Sequence, residues 1–135
     1  MEILLPEGWP RPKGYANGVA AEGRLVFVAG LVGWNEQQRF VETSFTGQLR
    51  QTLLNTLAVL EAGGARPEHV VRMTWYVTDK RAYLGALREV GEIWRELFGA
   101  HYPAMAAVEV SALMEDAALI EIETTAVVPA GGQAA

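Results

Sequence analysis

Residues 118–128, ALIEIETTAVV, read as a strand in which Ile120, Ile122, Thr124 and Ala126 point to one side of an extended chain, Glu121, Glu123, Thr125 and Val127 to the other. One side therefore belongs against an apolar layer, while the other meets water or a further polar surface. Two stretches can supply that layer. Over residues 45–62, Leu49, Leu53, Leu57 and Leu60 recur at helical spacing, Ser44 or Thr46 caps the start, and Gly63-Gly64 stops the run. Over residues 81–98, Tyr83, Leu87, Val90, Trp94 and Phe98 form a second stripe. Two helices of roughly 27 Å each, at 1.5 Å rise per residue, blanket one side of a sheet and leave the other bare.

The remaining strands are short and rich in β-branched and aromatic residues: 15–20 and 25–29, joined by Ala21-Glu22-Gly23-Arg24 as a hairpin turn, then 70–78 and 104–110. The order strand, strand, helix, strand, helix, strand, strand, without repeat or linker, predicts an α+β fold: one mixed β-sheet with two helices packed on one face. A single domain is expected over residues 1–128, followed by a flexible tail, 129–135. Residues 1–14 hold three of the six prolines (Pro6, Pro10, Pro12) and read as an extended arm.

Composition narrows the function. Half of the 135 residues are hydrophobic, enough for a real core. A net charge of −5 and only two lysines, Lys13 and Lys80, deny the chain the basic surface that a phosphate backbone needs, so no nucleic acid is expected. The absence of cysteine removes disulfides, thiolate nucleophiles and most structural zinc sites. The start, MEILLPEGWP, lacks the pattern of an export signal. The longest apolar stretch, residues 25–34, holds two glycines and falls short of the ~20 residues that span a bilayer; a cytoplasmic protein without a membrane partner is expected. His69 and His101 stand apart without metal-ligand spacing, Gly63-Gly64 lacks the lysine of a phosphate loop, and Ser44 and Ser111 sit in no nucleophile-elbow setting. Neither metal nor cofactor is expected.

On the bare side, alternation places Arg72, Thr74, Tyr76, Met105, Glu109, Glu121 and Glu123, with Ala107 on the face of Met105. Carboxylates mixed with large apolar groups suit neither a monomer core nor open water, so subunits are expected to associate there, with small-molecule clefts where they meet. Carboxylates crowded together raise one another's pKa unless Arg72 or a partner's arginine compensates.

These residues carry a resemblance. KGYANG at 13–18, VFVAGLVG at 26–33, QTLLNTLAVLEAGGA at 51–65, VVRMTWYVTD at 70–79, YPAMAAVEV at 102–110 and LIEIETTAVV at 119–128 are similar to the RidA (YjgF) family of reactive-intermediate deaminases over nearly the whole chain. The resemblance implies a chorismate-mutase-like fold, a homotrimer whose sheets form a central barrel, and three inter-subunit clefts. In the deaminating members the cleft hydrolyses 2-imino or 2-enamino acids to 2-keto acids and ammonia without a cofactor. An arginine clamps the substrate carboxylate, a glutamate positions water, and a tyrosine and a glycine backbone line the pocket. By resemblance the tyrosine is Tyr15, the glycine Gly30 and the glutamate Glu121. RNA cleavage and translational inhibition have been attached to some members; the acidic charge of this chain argues against carrying them over.

The clamp arginine is replaced. The family pattern sets it directly after Pro-Ala, and here Met105 follows Pro103-Ala104. A thioether carries no charge and donates no hydrogen bond, and losing a buried charge-assisted pair costs about 2 to 5 kcal/mol. Two readings follow. In one the protein hydrolyses a more apolar imine or enamine lying on Met105, Tyr15 and Trp34, with Glu121 handling water and Arg72 replacing the clamp. In the other a trimer binds a small metabolite, or a partner, without turning it over.

Overall fold

The computed structural model describes residues 1–131; of the expected tail, residues 132–135 lie outside the described residues. Two sheets are present. β1 (Glu2–Leu4) and β2 (Gly18–Ala20) pair antiparallel as a small ribbon. The main sheet runs β3-β6-β4-β5, from β3 (Arg24–Val32), β6 (Ile120–Val128), β4 (Val70–Val77) and β5 (Ala104–Glu109). β6 is antiparallel to both its neighbours, while β4 and β5 are parallel, so a crossover must join them. The helices α2 (Lys80–Leu84) and α3 (Leu87–Phe98) supply it.

α1 (Phe45–Ala62) starts at Ser44, whose Oγ accepts from the Gly47 amide at 3.0 Å, and ends at Gly63. Its Leu49, Leu53 and Leu60 are fully buried against Val28, Met73, Trp75, Ile120 and Ile122 of the sheet. α3 adds Val90, Ile93, Trp94 and Phe98 to the same core. Gln48, also buried, joins α1 to the approach of β6: Nε2 donates to the carbonyls of Glu42 (3.1 Å) and Ala117 (2.9 Å), and Oε1 accepts from Leu119 N at 2.7 Å. The sheet is thus covered on one face only, as the sequence requires. On the bare face Leu25 and Phe27 are 57% and 72% exposed.

Three expectations are corrected. The segments 15–20 and 25–29 form no hairpin with each other: β2 pairs with β1, and β3 with β6. β3 needs a partner of its own nine-residue length, which β6 provides and the three-residue β2 cannot. The proline-bearing arm is extended at its start, where Glu2–Leu4 is the strand that β2 pairs with.

The second helix is broken. Asp79 caps α2 by accepting from the amides of Arg81 and Ala82, and Gly85 closes it through its own N–H to the Arg81 carbonyl. A five-residue turn precedes the true core helix α3.

The third correction concerns the phase of β5. Met105 is the register partner of Met73, Ala107 of Trp75 and Glu109 of Val77, all three of which are buried under the helices. Residues paired across a ladder share a face. Met105, Ala107 and Glu109 therefore lie on the helix side, and Ala104, Ala106 and Val108 on the bare side. In AMAAVE small apolar residues occupy both phases, so alternation carries no burial signal there. Glu109 instead accepts from the Lys80 amide at the start of α2 (2.8 Å).

Candidate functional site

Because β5 is an edge strand bearing small side chains, α2 and α3 do not close completely over it. A groove of about 510 Å³ remains, with Trp75, Met105 and Ala107 as its floor, Tyr83, Leu87, Val90 and Trp94 along the helix wall, and Tyr15 opposite. Tyr15 is set there by its neighbour Ala16, which bridges in parallel to Ala104 and donates its N–H to the Pro103 carbonyl at 2.9 Å. The wall is an aromatic array: Trp75 meets Tyr83 edge to face (centroids 6.1 Å apart) and Trp94 at 6.3 Å, while Trp94 stacks on Phe98 at 4.3 Å. Burial raises the pKa of the Tyr83 hydroxyl. The Trp75 indole nitrogen is buried and finds no acceptor. Lys13 and Arg95 stand on the lining as its two cations.

Gly30 and Glu121 form a second group elsewhere. Between Val28 and Leu31 the register of β3 against β6 shifts, so Ala29 and Gly30 together oppose Glu123, a β-bulge. The Glu121 side chain lies across that bulge: a Cβ at position 30 would stand 2.2 Å from Glu121 Oε2. Only glycine leaves the carboxylate in place. Glu121 is the register partner of Tyr76, on the bare face. Beside it the Tyr76 hydroxyl donates to Glu123, and that hydrogen bond, then burial and the charges of Glu123 and Glu121, raises the tyrosine pKa.

The site residues expected from the sequence thus divide. Tyr15, Met105 and Ala107 share the groove; Gly30 and Glu121 touch each other on the opposite face of the sheet. Arg72 is the register partner of Ala104 and Thr125, hence also on the bare face, where it lines a shallow hollow with Phe27, Thr74 and Glu123. Within one chain it does not face the space beside Met105. Trp34 packs on Phe40 (5.6 Å) in a loop pinned by Asn55 Nδ2, which donates to the carbonyls of Val32 and Trp34, and it does not line the groove. His101 is tied to the Val70 carbonyl through Nε2 at 2.6 Å. Among the described residues no three His, Asp or Glu side chains gather as metal ligands, and no helix is long and apolar enough to cross a membrane.

The sequence model described as endoribonuclease L-PSP matches residues 10–128. The chain belongs to this family, the RidA/YjgF family. Among its relatives, a RutC family protein of Pyrococcus horikoshii is 34% identical over 126 residues, covering 93% of this chain and 96% of that protein. TdcF of Escherichia coli K12, named as a candidate reactive intermediate deaminase, is 30% identical over 84% of this chain and 85% of its own. The crystal structure of YyfB of Yersinia pestis, a Rid family protein of unknown function, superposes with a TM-score of 0.83 at 32% identity, covering 94% and 98% of the two chains. TdcF with bound serine superposes with a TM-score of 0.66 at 27% identity over 95% and 99%. The fold is the chorismate-mutase-like fold of the RidA/YjgF family.

Sequence reasoning missed most of this family member's groove wall. Tyr83, Leu87 and Trp94 belong to a stripe that reads as ordinary core, and Trp75 lies on the buried phase of β4. Gly91, which also lines the groove, carried a usable signal: glycine inside a helix costs about 1 kcal/mol relative to alanine and calls for a reason.

Proposed function

We propose that the protein is a hydrolase of imines or enamines, of the reactive-intermediate deaminase type, working as a homotrimer in clefts between subunits. One chain offers the groove of Tyr15, Met105 and Ala107; its neighbour offers Glu121 over Gly30. The observation that carries this reading is that the two groups lie on opposite faces of one sheet. A small molecule cannot touch both within a chain, whereas a second copy whose bare face meets the edge at β5 brings them together. The exposed Leu25, Phe27 and Val108 give that face the apolar area association needs. The name of TdcF, and the serine bound in its crystal structure, support a small-molecule site of this kind.

In the reaction, Glu121 accepts a proton from water as the oxygen adds to the C=N carbon. Glu121 returns that proton to the nitrogen, giving a carbinolamine; the hydroxyl proton then passes to the nitrogen in the same way, the C–N bond breaks to release ammonia, and the oxygen closes the carbonyl. An enamine first takes a proton on carbon to become the imine. A carboxylate suits this role because it is acceptor-only at neutral pH and its position is fixed by the bulge.

The test is ammonia and keto-acid release from enzymatically generated 2-iminobutyrate, and from the imine of phenylalanine, measured above the spontaneous rate. Acceleration by wild type that Glu121→Gln abolishes is expected. Met105 favours a second reading, a trimer that binds a metabolite without turnover; no acceleration of either imine by the folded trimer selects it. The composition, at net charge −5, gives RNA cleavage no support.

A further inference from the structure

A clamp lost from the floor of the groove leaves open what holds an anionic ligand, and the groove offers an answer on its rim. Arg95 lines it from α3, forms no ion pair among the described residues, and donates no side-chain hydrogen bond there. Its guanidinium folds back one helical turn over Gly91, as helical side chains lean toward the N-terminus. The three atoms that a Cβ at Gly91 would approach most closely all belong to Arg95, the nearest being Nη1 at 3.2 Å. Gly91 does not have a positive φ, so its backbone does not demand glycine. What the missing side chain provides is room for this guanidinium against the groove. Lys13, across the opening, is likewise without an ion pair, and no carboxylate side chain lines the cavity. Beneath these cations the surface is apolar and aromatic, formed by Trp75, Tyr83, Trp94 and Met105.

We infer that Arg95 is the carboxylate-binding residue of this groove, and that the groove takes a 2-keto or 2-imino acid with a bulky aromatic side chain, the carboxylate on Arg95 and the ring on Trp75, Trp94 and Met105. The inference rests on the reading of this groove as one half of the cleft. A small 2-keto acid satisfies the rim but leaves the aromatic floor wet. A neutral aromatic ketone fills the floor but leaves both cations unmatched. Only an acid carrying both parts uses the whole lining.

Calorimetric titration of the full chain with phenylpyruvate, pyruvate and phenylacetone tests this. Phenylpyruvate is expected to bind at least about tenfold more tightly than pyruvate. Arg95→Gln should weaken phenylpyruvate by about tenfold or more, leave phenylacetone unchanged, and be partly rescued by Arg95→Lys. Arg95 is exposed on a helix surface, so the variants are expected to fold, and circular dichroism checks that. Equal affinity for pyruvate and phenylpyruvate, no phenylpyruvate binding, or unchanged binding in folded Arg95→Gln would each overturn the inference. The same titrations on Glu121→Gln separate it from the deaminase reading. Arg95-dependent binding without any wild-type turnover removes the chemistry and keeps the ligand; turnover indifferent to Arg95 does the reverse.

Discussion

Phe27 lies on the bare face of the edge strand β3, 72% exposed in the single chain, in register with Thr125 and lining the same hollow as Arg72. An aromatic side chain presents roughly 200 Å², so covering its exposed part removes about 140 Å² from water. At ~25 cal/mol per Å² this is about 3.5 kcal/mol for each copy, or on the order of 10 kcal/mol for a trimer that covers all three. Phe27→Asp removes that contribution and adds the cost of desolvating a carboxylate, several kcal/mol if it stays ionised. The assay is sedimentation velocity at micromolar concentration. Wild type is expected at about 44 kDa, three times the 14.7 kDa chain, and Phe27→Asp as a folded single chain or an unfolded one. Val59→Asp, on the outer surface of α1, serves as control and should leave the assembly intact. A wild-type chain that is folded and monomeric at these concentrations, or a Phe27→Asp chain that still forms the trimer, refutes the argument. With it would go the reason for bringing Glu121 to a neighbour's groove.

Gln48→Leu should destabilise the fold by about 2 to 4 kcal/mol, since it leaves the Ala117 carbonyl and the Leu119 amide, both bonded to Gln48, without their partner; urea unfolding with an unchanged slope measures it. Gly30→Ala is expected to shift the melting temperature only slightly, because the atom it strikes is the end of the flexible Glu121 side chain, yet to lower turnover nearly as far as Glu121→Gln. Full activity in Gly30→Ala would show that the carboxylate does not work from this position. Ultraviolet titration should show Tyr76 and Tyr83 ionising above the ordinary tyrosine range, and Tyr76→Phe should reduce that late amplitude from two tyrosines to one. Because the folded pKa is raised, the stabilisation from the Tyr76–Glu123 contact is complete at neutral pH and is lost only as pH climbs through the raised value.

Legibility followed the strength of local signals. α1 was bounded by a leucine repeat, a serine cap and a double glycine, and the structure starts and ends it at those positions. β4 and β6 were readable because β-branched and aromatic residues, or strict alternation, fix both existence and phase. β5 was readable only as a strand. Its phase came from a parallel pairing with β4 that nothing in a run of alanines encodes. Glu109 was therefore placed with Glu121 and Glu123, although it caps the approach to α2 on the other side. The partner of β2 was likewise nonlocal, being decided by the matching lengths of β3 and β6 rather than by the turn at Gly23. For the candidate site, Tyr15, Gly30, Glu121 and Met105 were singled out through motif resemblance, and the bulge gives Gly30 a steric reason. The aromatic wall was hidden because a residue half in the core and half in a cavity has the same periodicity as one wholly in the core.

Met105 becomes intelligible from its surroundings. Its register partner is the fully buried Met73, and Trp75, Trp94 and Leu87 line the same groove. An arginine there would lay its stem on aromatic faces and leave its charge in a wall without a carboxylate, an arrangement that an anionic ligand or a neighbouring subunit must relieve. Methionine fills the same volume without that demand and adapts to irregular apolar space. Moving the cation to Arg95, on a helix surface where water solvates it in the empty state, spares the free protein the desolvation while keeping charge at the mouth. The consequence is a reversed ligand orientation: an acid group held at the rim carries its apolar body inward, whereas one held at Met105 would carry it out. On the proposed assembly, which end of the ligand meets Glu121 of the neighbouring chain depends on how that chain seats against β5, so Phe27 and Arg95, on opposite faces of the sheet, would jointly determine what the proposed cleft accepts.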